Sequence, residues 1–130
     1  MLNFLIVILI SYLLGAIPFA YIMTRLLTGK DVREHGSGNV GATNAGRLLG
    51  FKYGFLVALL DVLKAILAVS IARSLLSPEL ARYYLLIAAS FVIIGHNWSV
   101  FLRFMGGKGV ATTCGVIFTL FPLGFIIFFI

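Results

Sequence analysis

The sequence predicts an all-α protein, a polytopic bundle of membrane-spanning helices, and three observations carry that expectation. Of 130 residues 62% are apolar and the mean hydropathy is +1.13, values that an ordinary soluble domain does not reach. The apolar residues fall into runs near the ~20 residues that a spanning helix requires, with about four such runs in the chain. The net charge is +6, yet the ten Lys and Arg are scattered between the runs rather than gathered into a tract, so they read as topology determinants and exclude a nucleic-acid partner. Cys114, the one cysteine, sits in an apolar stretch, which excludes an internal disulfide and a Cys-based zinc site. At this length one membrane-embedded domain over residues 1–130 is expected.

Leu2 to about Leu27 forms the first span, interrupted by Pro18 as a kink. A cleaved leader is the competing reading, but no charge precedes the run and the run is too long for a signal peptide. Residues 28–52 form a first loop where, with the flanking Arg25 counted, Arg25, Lys30, Arg33, Arg47 and Lys52 stand against Asp31 and Glu34. By the positive-inside rule this loop is cytoplasmic and the N-terminus lies outside. Tyr53 to about Ser74 is the second span. Ser77, Pro78 and Glu79 make an outer turn between Arg73 and Arg82, and Tyr83 to about Leu102 is the third span, with Trp98 placed as an interfacial anchor. Residues 103–108 form a second cytoplasmic loop. Val110 to Ile130 then runs apolar through Pro122 without a polar tail, so the chain is expected to be the N-terminal part of a longer bundle.

Two polar, glycine-rich stretches flank these spans on the same predicted face. The first is Gly36-Ser37-Gly38-Asn39-Val40-Gly41-Ala42-Thr43-Asn44-Ala45-Gly46-Arg47; the second is Gly106-Gly107-Lys108-Gly109-Val110-Ala111-Thr112-Thr113. Glycines let backbone N–H groups close on an anion, Arg47 supplies a planar donor fork, and Lys108 supplies a point charge. A helix starting near Gly109 would aim its N-terminal N–H groups at whatever Lys108 holds. Both stretches therefore read as phosphate cradles meeting at one membrane face. The plainer reading, flexible connectors plus close helix packing, leaves Ser37, Asn39, Thr43, Asn44, Arg47 and Lys108 without a purpose. Gly38, Ala42, Thr43 and Gly46 also align in register with Gly107, Ala111, Thr112 and Gly115, a faint internal echo.

Residues 36–41 spell G-x-G-x-x-G and Asp61 follows about twenty residues on, but a dinucleotide fingerprint needs a strand before it and a soluble βαβ unit around it. The P-loop pattern fails as well, because Gly109 follows Lys108 and Leu102 occupies the first glycine position. Asp61 and Lys64, three residues apart, share one face of the second span. An ionisable pair in a bilayer requires mutual pairing or a polar cavity, and both a structural staple and a wall of the active site remain open. His96, near the cytoplasmic end of the third span, has three possible roles: general base, phosphate donor, or interfacial hydrogen-bonding residue.

These stretches resemble the bacterial membrane family of acyl-phosphate:glycerol-3-phosphate acyltransferases. The resemblance is carried by residues 36–44 with Arg47, by Asp61 with Lys64, by Gly95-His96 with Ser99-Val100-Phe101, and by residues 106–112. It implies acyl transfer from acyl phosphate to the 1-hydroxyl of glycerol-3-phosphate in phospholipid biosynthesis, giving lysophosphatidic acid and phosphate, with no cofactor and no metal. It further implies a multi-pass protein of the bacterial inner membrane with its motif loops in the cytoplasm, several further helices, and a third, C-terminal motif rich in His, Asn and Arg. On this resemblance Ser37, Arg47, Lys108 and His96 are the expected catalytic residues. Gly38, Asn39, Thr43, Asn44, Ser99, Gly106, Gly107 and Gly109 are the expected substrate and phosphate contacts. The His-x4-Asp pair of thioester-dependent acyltransferases is missing, since Val40 and Phe101 stand at the fifth positions after His35 and His96. A membrane transporter of a phosphorylated anion is the competing function, although transporters place such elements nearer the bilayer midplane.

Overall fold

Gly15 and Gly95 are where the bundle closes most tightly. A Cβ on Gly15 would collide with the Val92 carbonyl, and one on Gly95 with the Tyr12 carbonyl. Without side chains there, two backbones approach closely enough for dispersion to hold them, which is the means of association left to helices in lipid. The computed structural model describes residues 2–76 and 78–129, with the side chains of 78–82 and 128–129 outside the description. The elements are α1 (Leu2–Ala16), α2 (Phe19–Thr28), α3 (Ala42–Leu49), α4 (Phe51–Leu75), α5 (Pro78–Asn97), α6 (Val110–Leu120) and α7 (Pro122–Phe129), with single 3-10 turns at Val32–Glu34 and Val100–Leu102. The all-α expectation holds, and no strand occurs among the described residues.

Helix α4 lies at the centre and packs against α1, α3, α5 and α6. Its small residues Val57, Ala65, Ala68 and Val69 are fully buried while Phe55, Leu59, Leu63 and Leu67 face outward. Putting the bulky side chains outside reverses the soluble pattern and suits a helix whose surroundings are acyl chains. Among the described residues three helical stretches are long and apolar enough to cross a membrane: Leu2–Thr28, Phe51–Leu75 and Tyr83–Leu102.

The first of these is broken where expected. Pro18 has no N–H to donate, and α2 resumes with Ile22 N–H bonding the Pro18 carbonyl at 3.0 Å. The break frees carbonyls that lipid could not satisfy. Ser99 Oγ donates to the Ala16 carbonyl at 2.6 Å and Lys64 Nζ to the Ile17 carbonyl at 2.9 Å.

Three expectations on element boundaries change. The first loop holds a helix, α3, because Ala42 to Leu49 can bury Asn44 and Ala45 against the turn before it. The fourth apolar run is divided at Phe121–Pro122 into α6 of 11 residues and α7 of 8. Pro122 opens α7, where a missing N–H costs nothing, and Phe121 leaves the helical region at φ −137°, ψ 62°. The outer turn falls partly on Ser77, outside the described residues, and Pro78 already begins α5.

Candidate active site

Asn44 organises the first glycine stretch. Its Nδ2 donates to the carbonyls of Val32, His35 and Asn39 at 3.0, 2.9 and 3.1 Å, and its Oδ1 accepts from Ser37 N–H at 3.1 Å. At the other end of this turn Asp31 accepts from the Arg33 backbone N–H at 2.9 Å and pairs with its guanidinium at 2.6 Å. The Arg33 side chain, bonded to the Asp31 carboxylate, holds that carboxyl below its ordinary value against the opposing effect of burial. Arg33 also lies over the Tyr21 ring, 5.3 Å from its centroid. The loop is thereby pinned to α2 and α3, above a buried cluster that includes Ala20, Val32, Val40, Ala45 and Val57.

The second glycine stretch is zipped onto the end of α5. Gly107 N–H donates to the His96 carbonyl at 3.1 Å, and a Cβ on Gly106 would strike the carbonyls of His96 and Asn97. Gly107 is the point where the two stretches touch: a Cβ there would meet the Val40 carbonyl on one side and His96 Nε2 on the other. Gly109, at φ +75°, turns the chain into α6.

Between the two stretches lies a cleft of 270 Å³ whose lining includes Asn39, Thr43, Asp61, His96, Lys108 and Gly109. Beside it runs a groove of 470 Å³ bounded by Gly46, Arg47, Phe51, Gly54 and Phe55, and the two cavities share Ala42, Thr43 and Ala58. The cleft offers an ammonium, a hydroxyl, a carboxamide and the N-terminus of α6. The groove is mostly apolar with one guanidinium at its wall. An anion and an apolar tail can thus lie end to end.

The floor of the cleft is a buried ionic cluster. Lys64 Nζ lies 2.7 Å from Asp61 Oδ1 and 3.0 Å from His96 Nδ1, besides its bond to the Ile17 carbonyl. Both sequence readings of Asp61 and Lys64 meet here: the pair staples α4 to the α1–α2 break, and Asp61 also lines the cleft.

The structure brings Asn39, Thr43, His96, Lys108 and Gly109 together and places Arg47 in the adjoining groove. Gly106 and Gly107 form the backbone behind the cleft. Ser37 is exposed outside the lining, its Oγ accepting from Asn39 N–H at 3.5 Å, and Gly38 packs toward the Arg33 carbonyl. Asn44 and Ser99 turn away from the cleft, because each is buried and bonded to backbone carbonyls of the neighbouring turns. Sequence reasoning missed the link from Lys64 to His96, separated by 32 positions. It also missed Asn97, whose buried Oδ1 stands beside Gly109 without a hydrogen bond.

Membrane-length helices surrounding a cationic, amide-lined cleft at one end define an integral membrane protein with a polar site at its rim. The model of the glycerol-3-phosphate acyltransferase family matches residues 5–130, and the chain belongs to that family. It is 47% identical over 119 residues to glycerol-3-phosphate acyltransferase 2 of Moorella thermoacetica, a match covering 92% of this chain and 59% of that protein. It is 49% identical over 115 residues to the glycerol-3-phosphate acyltransferase of Thermoanaerobacter sp. (strain X514), covering 88% and 56%. Among solved structures it is similar to PlsY (YgiH), an integral membrane glycerol 3-phosphate acyltransferase. The glycerol 3-phosphate form of that protein gives a TM-score of 0.87 at 42% identity, over 97% of this chain and 62% of the other. Its lysophosphatidic acid form gives 0.83 at 40% identity. The chain thus spans less than two thirds of the length of each of these relatives.

Proposed function

We propose that the full-length protein transfers an acyl group from an acyl phosphate to the 1-hydroxyl of glycerol-3-phosphate, releasing lysophosphatidic acid and inorganic phosphate at the cytoplasmic face of the bacterial inner membrane. The observation that carries this reading is the continuity of the polar cleft with the apolar groove through Ala42, Thr43 and Ala58. A phosphorylated substrate requires the first and a fatty acyl chain the second, and the reaction requires them joined.

Lys108 and Arg47 hold the phosphates, with Ser37 contributing from the rim. Asn39, Thr43 and the Gly106 to Gly109 backbone position the second anion and the carbonyl. Both substrates are anionic, so cations and N–H donors fixed in place lower the cost of bringing like charges together. The hydroxyl oxygen attacks the acyl carbon, the bond to the phosphate oxygen breaks, and the hydroxyl proton passes to the departing phosphate. Donors aimed at the carbonyl oxygen stabilise the intermediate.

Reconstituted full-length protein supplied with palmitoyl phosphate and labelled glycerol-3-phosphate should form labelled lysophosphatidate and orthophosphate in equal amounts. Label that crosses the bilayer unacylated would instead establish a transporter. Lys108→Ala and Arg47→Ala should each lower turnover by about 10²–10³-fold, the scale on which single donors to a developing charge act. Near-normal turnover in both would overturn the assignment.

A further inference from the structure

We infer that Lys64 is a positioning residue that fixes the tautomer of His96, so that the imidazole enters the cleft as an N–H donor and not as a base. Three groups surround the Lys64 ammonium: it donates to the Ile17 carbonyl at 2.9 Å, forms an ion pair with Asp61 Oδ1 at 2.7 Å and lies 3.0 Å from His96 Nδ1. An ammonium has three N–H groups and no lone pair, so Nδ1 must accept. The remaining proton of a neutral imidazole then sits on Nε2. That atom stands against Gly107, and the ring lines the cleft with Lys108 and Gly109.

The surrounding charges leave no better arrangement. Asp61 Oδ1 is 3.5 Å from His96 Nδ1 but 2.7 Å from Lys64, so its charge answers the ammonium first. A proton on Nδ1 would point at the Lys64 cation, and a fully protonated ring would place two positive groups 3.0 Å apart in a site where both are buried. On the cleft side the other titratable group of the lining is Lys108, again cationic. Held in this way, His96 has no lone pair to offer a hydroxyl proton. It has an N–H to offer an anion, beside the Gly107 to Gly109 backbone that serves the same end.

The kinetic part of the test rests on the acyl-transfer reading; the spectroscopic part does not. Ring-¹⁵N-labelled histidine in the full-length protein, assigned against His96→Gln, should show Nε2 protonated and Nδ1 unprotonated, with the Nε2–H signal shifting when orthophosphate is added. In acyl-transfer assays His96→Gln, which keeps an N–H donor near the Nε2 position, should retain turnover within about tenfold and leave the pH–rate profile unaltered in shape. Removal of a general base would instead cost about 10²–10⁴-fold. Lys64→Met should raise the KM for glycerol-3-phosphate by about tenfold or more in the native background and under about threefold in His96→Ala, because contacting residues are coupled and independent ones are not. A protonated Nδ1, loss of the pH dependence in His96→Gln, or equal effects of Lys64→Met in both backgrounds would each overturn the inference. Absence of acyl transfer by the unsubstituted protein, with the Nε2–H tautomer observed, would overturn the acyl-transfer reading alone.

Discussion

Asn44 satisfies three carbonyls and one N–H of the turn that precedes it, so its removal should be felt in that turn before it is felt anywhere else. Asn44→Ala removes the partner of the Asn39 carbonyl and of the Ser37 N–H, at about 1–3 kcal/mol for each that remains buried, while the Val32 and His35 carbonyls keep the turn bonds from His35 and Gly38 N–H at 3.4 and 3.0 Å. Limited proteolysis between residues 32 and 41 should accelerate while the α1–α5 contact persists, as hydrogen exchange would show. Asp31 gives the same turn a pH dependence. Because Arg33 depresses its carboxyl, Asp31 contributes stability above the ordinary carboxylate range and loses it as pH falls through the lowered value. Acidification should therefore loosen the turn, and Asp31→Asn should abolish that sensitivity; cleavage rates measured across the acid range check both. A polar residue out of place beside a membrane segment is visible in the sequence, as Asn44 and Ser99 were. The carbonyls that they satisfy are not, since the Ala16 group, 83 positions from Ser99, exists as a free acceptor only because Pro18 breaks its helix.

At the level of elements, spans were legible because length and hydropathy determine them, and the Pro18 interruption because proline cannot continue the ladder. Helix α3 was not legible. Eight residues containing Thr43, Asn44 and Gly46 carry little intrinsic helix propensity, and it is contact with α4 that holds them. Gly46 of α3 faces Gly54 of α4, and Gly115 of α6 faces the Val62 carbonyl and Ala65 of the same helix. The register echo between the two glycine stretches thus corresponds to two helices using equivalent glycines to dock on α4, with Ala42 and Ala111 both lining the cleft. The α1–α5 contact is the strictest of these approaches. Gly95→Val must separate two backbones already in contact, an overpacking that costs about 1–3 kcal/mol. The melting temperature in detergent should fall accordingly, and a variant as stable as the parent would show that α1 and α5 do not meet at Gly95.

For the whole molecule the question is which way the bundle faces, because the cleft can receive only solutes from the side on which it opens. Charge supplies the expectation, and packing says what lies at each end. Arg25, Lys30, Arg33, Arg47, Lys52, Arg103 and Lys108 all fall in or beside the two loops that form the cleft, against Asp31 and Glu34. At the opposite end Asn3 Nδ2 reaches the Leu75 carbonyl at 3.5 Å, which sets the start of α1 beside the end of α4. An excess of Lys and Arg near span ends fixes that side in the cytoplasm, so the cleft should open inward and Asn3 should face out. Two single-cysteine variants test this in a Cys114→Ala background. With Asn3→Cys a membrane-impermeant maleimide should react in intact cells. With Lys30→Cys, exposed beside α2, it should react only after permeabilisation. Labelling of Lys30→Cys in intact cells would put the cationic loops outside, where a soluble cytoplasmic phosphate ester could not reach Lys108, and the acyl-transfer assignment would fail with the orientation on which it depends.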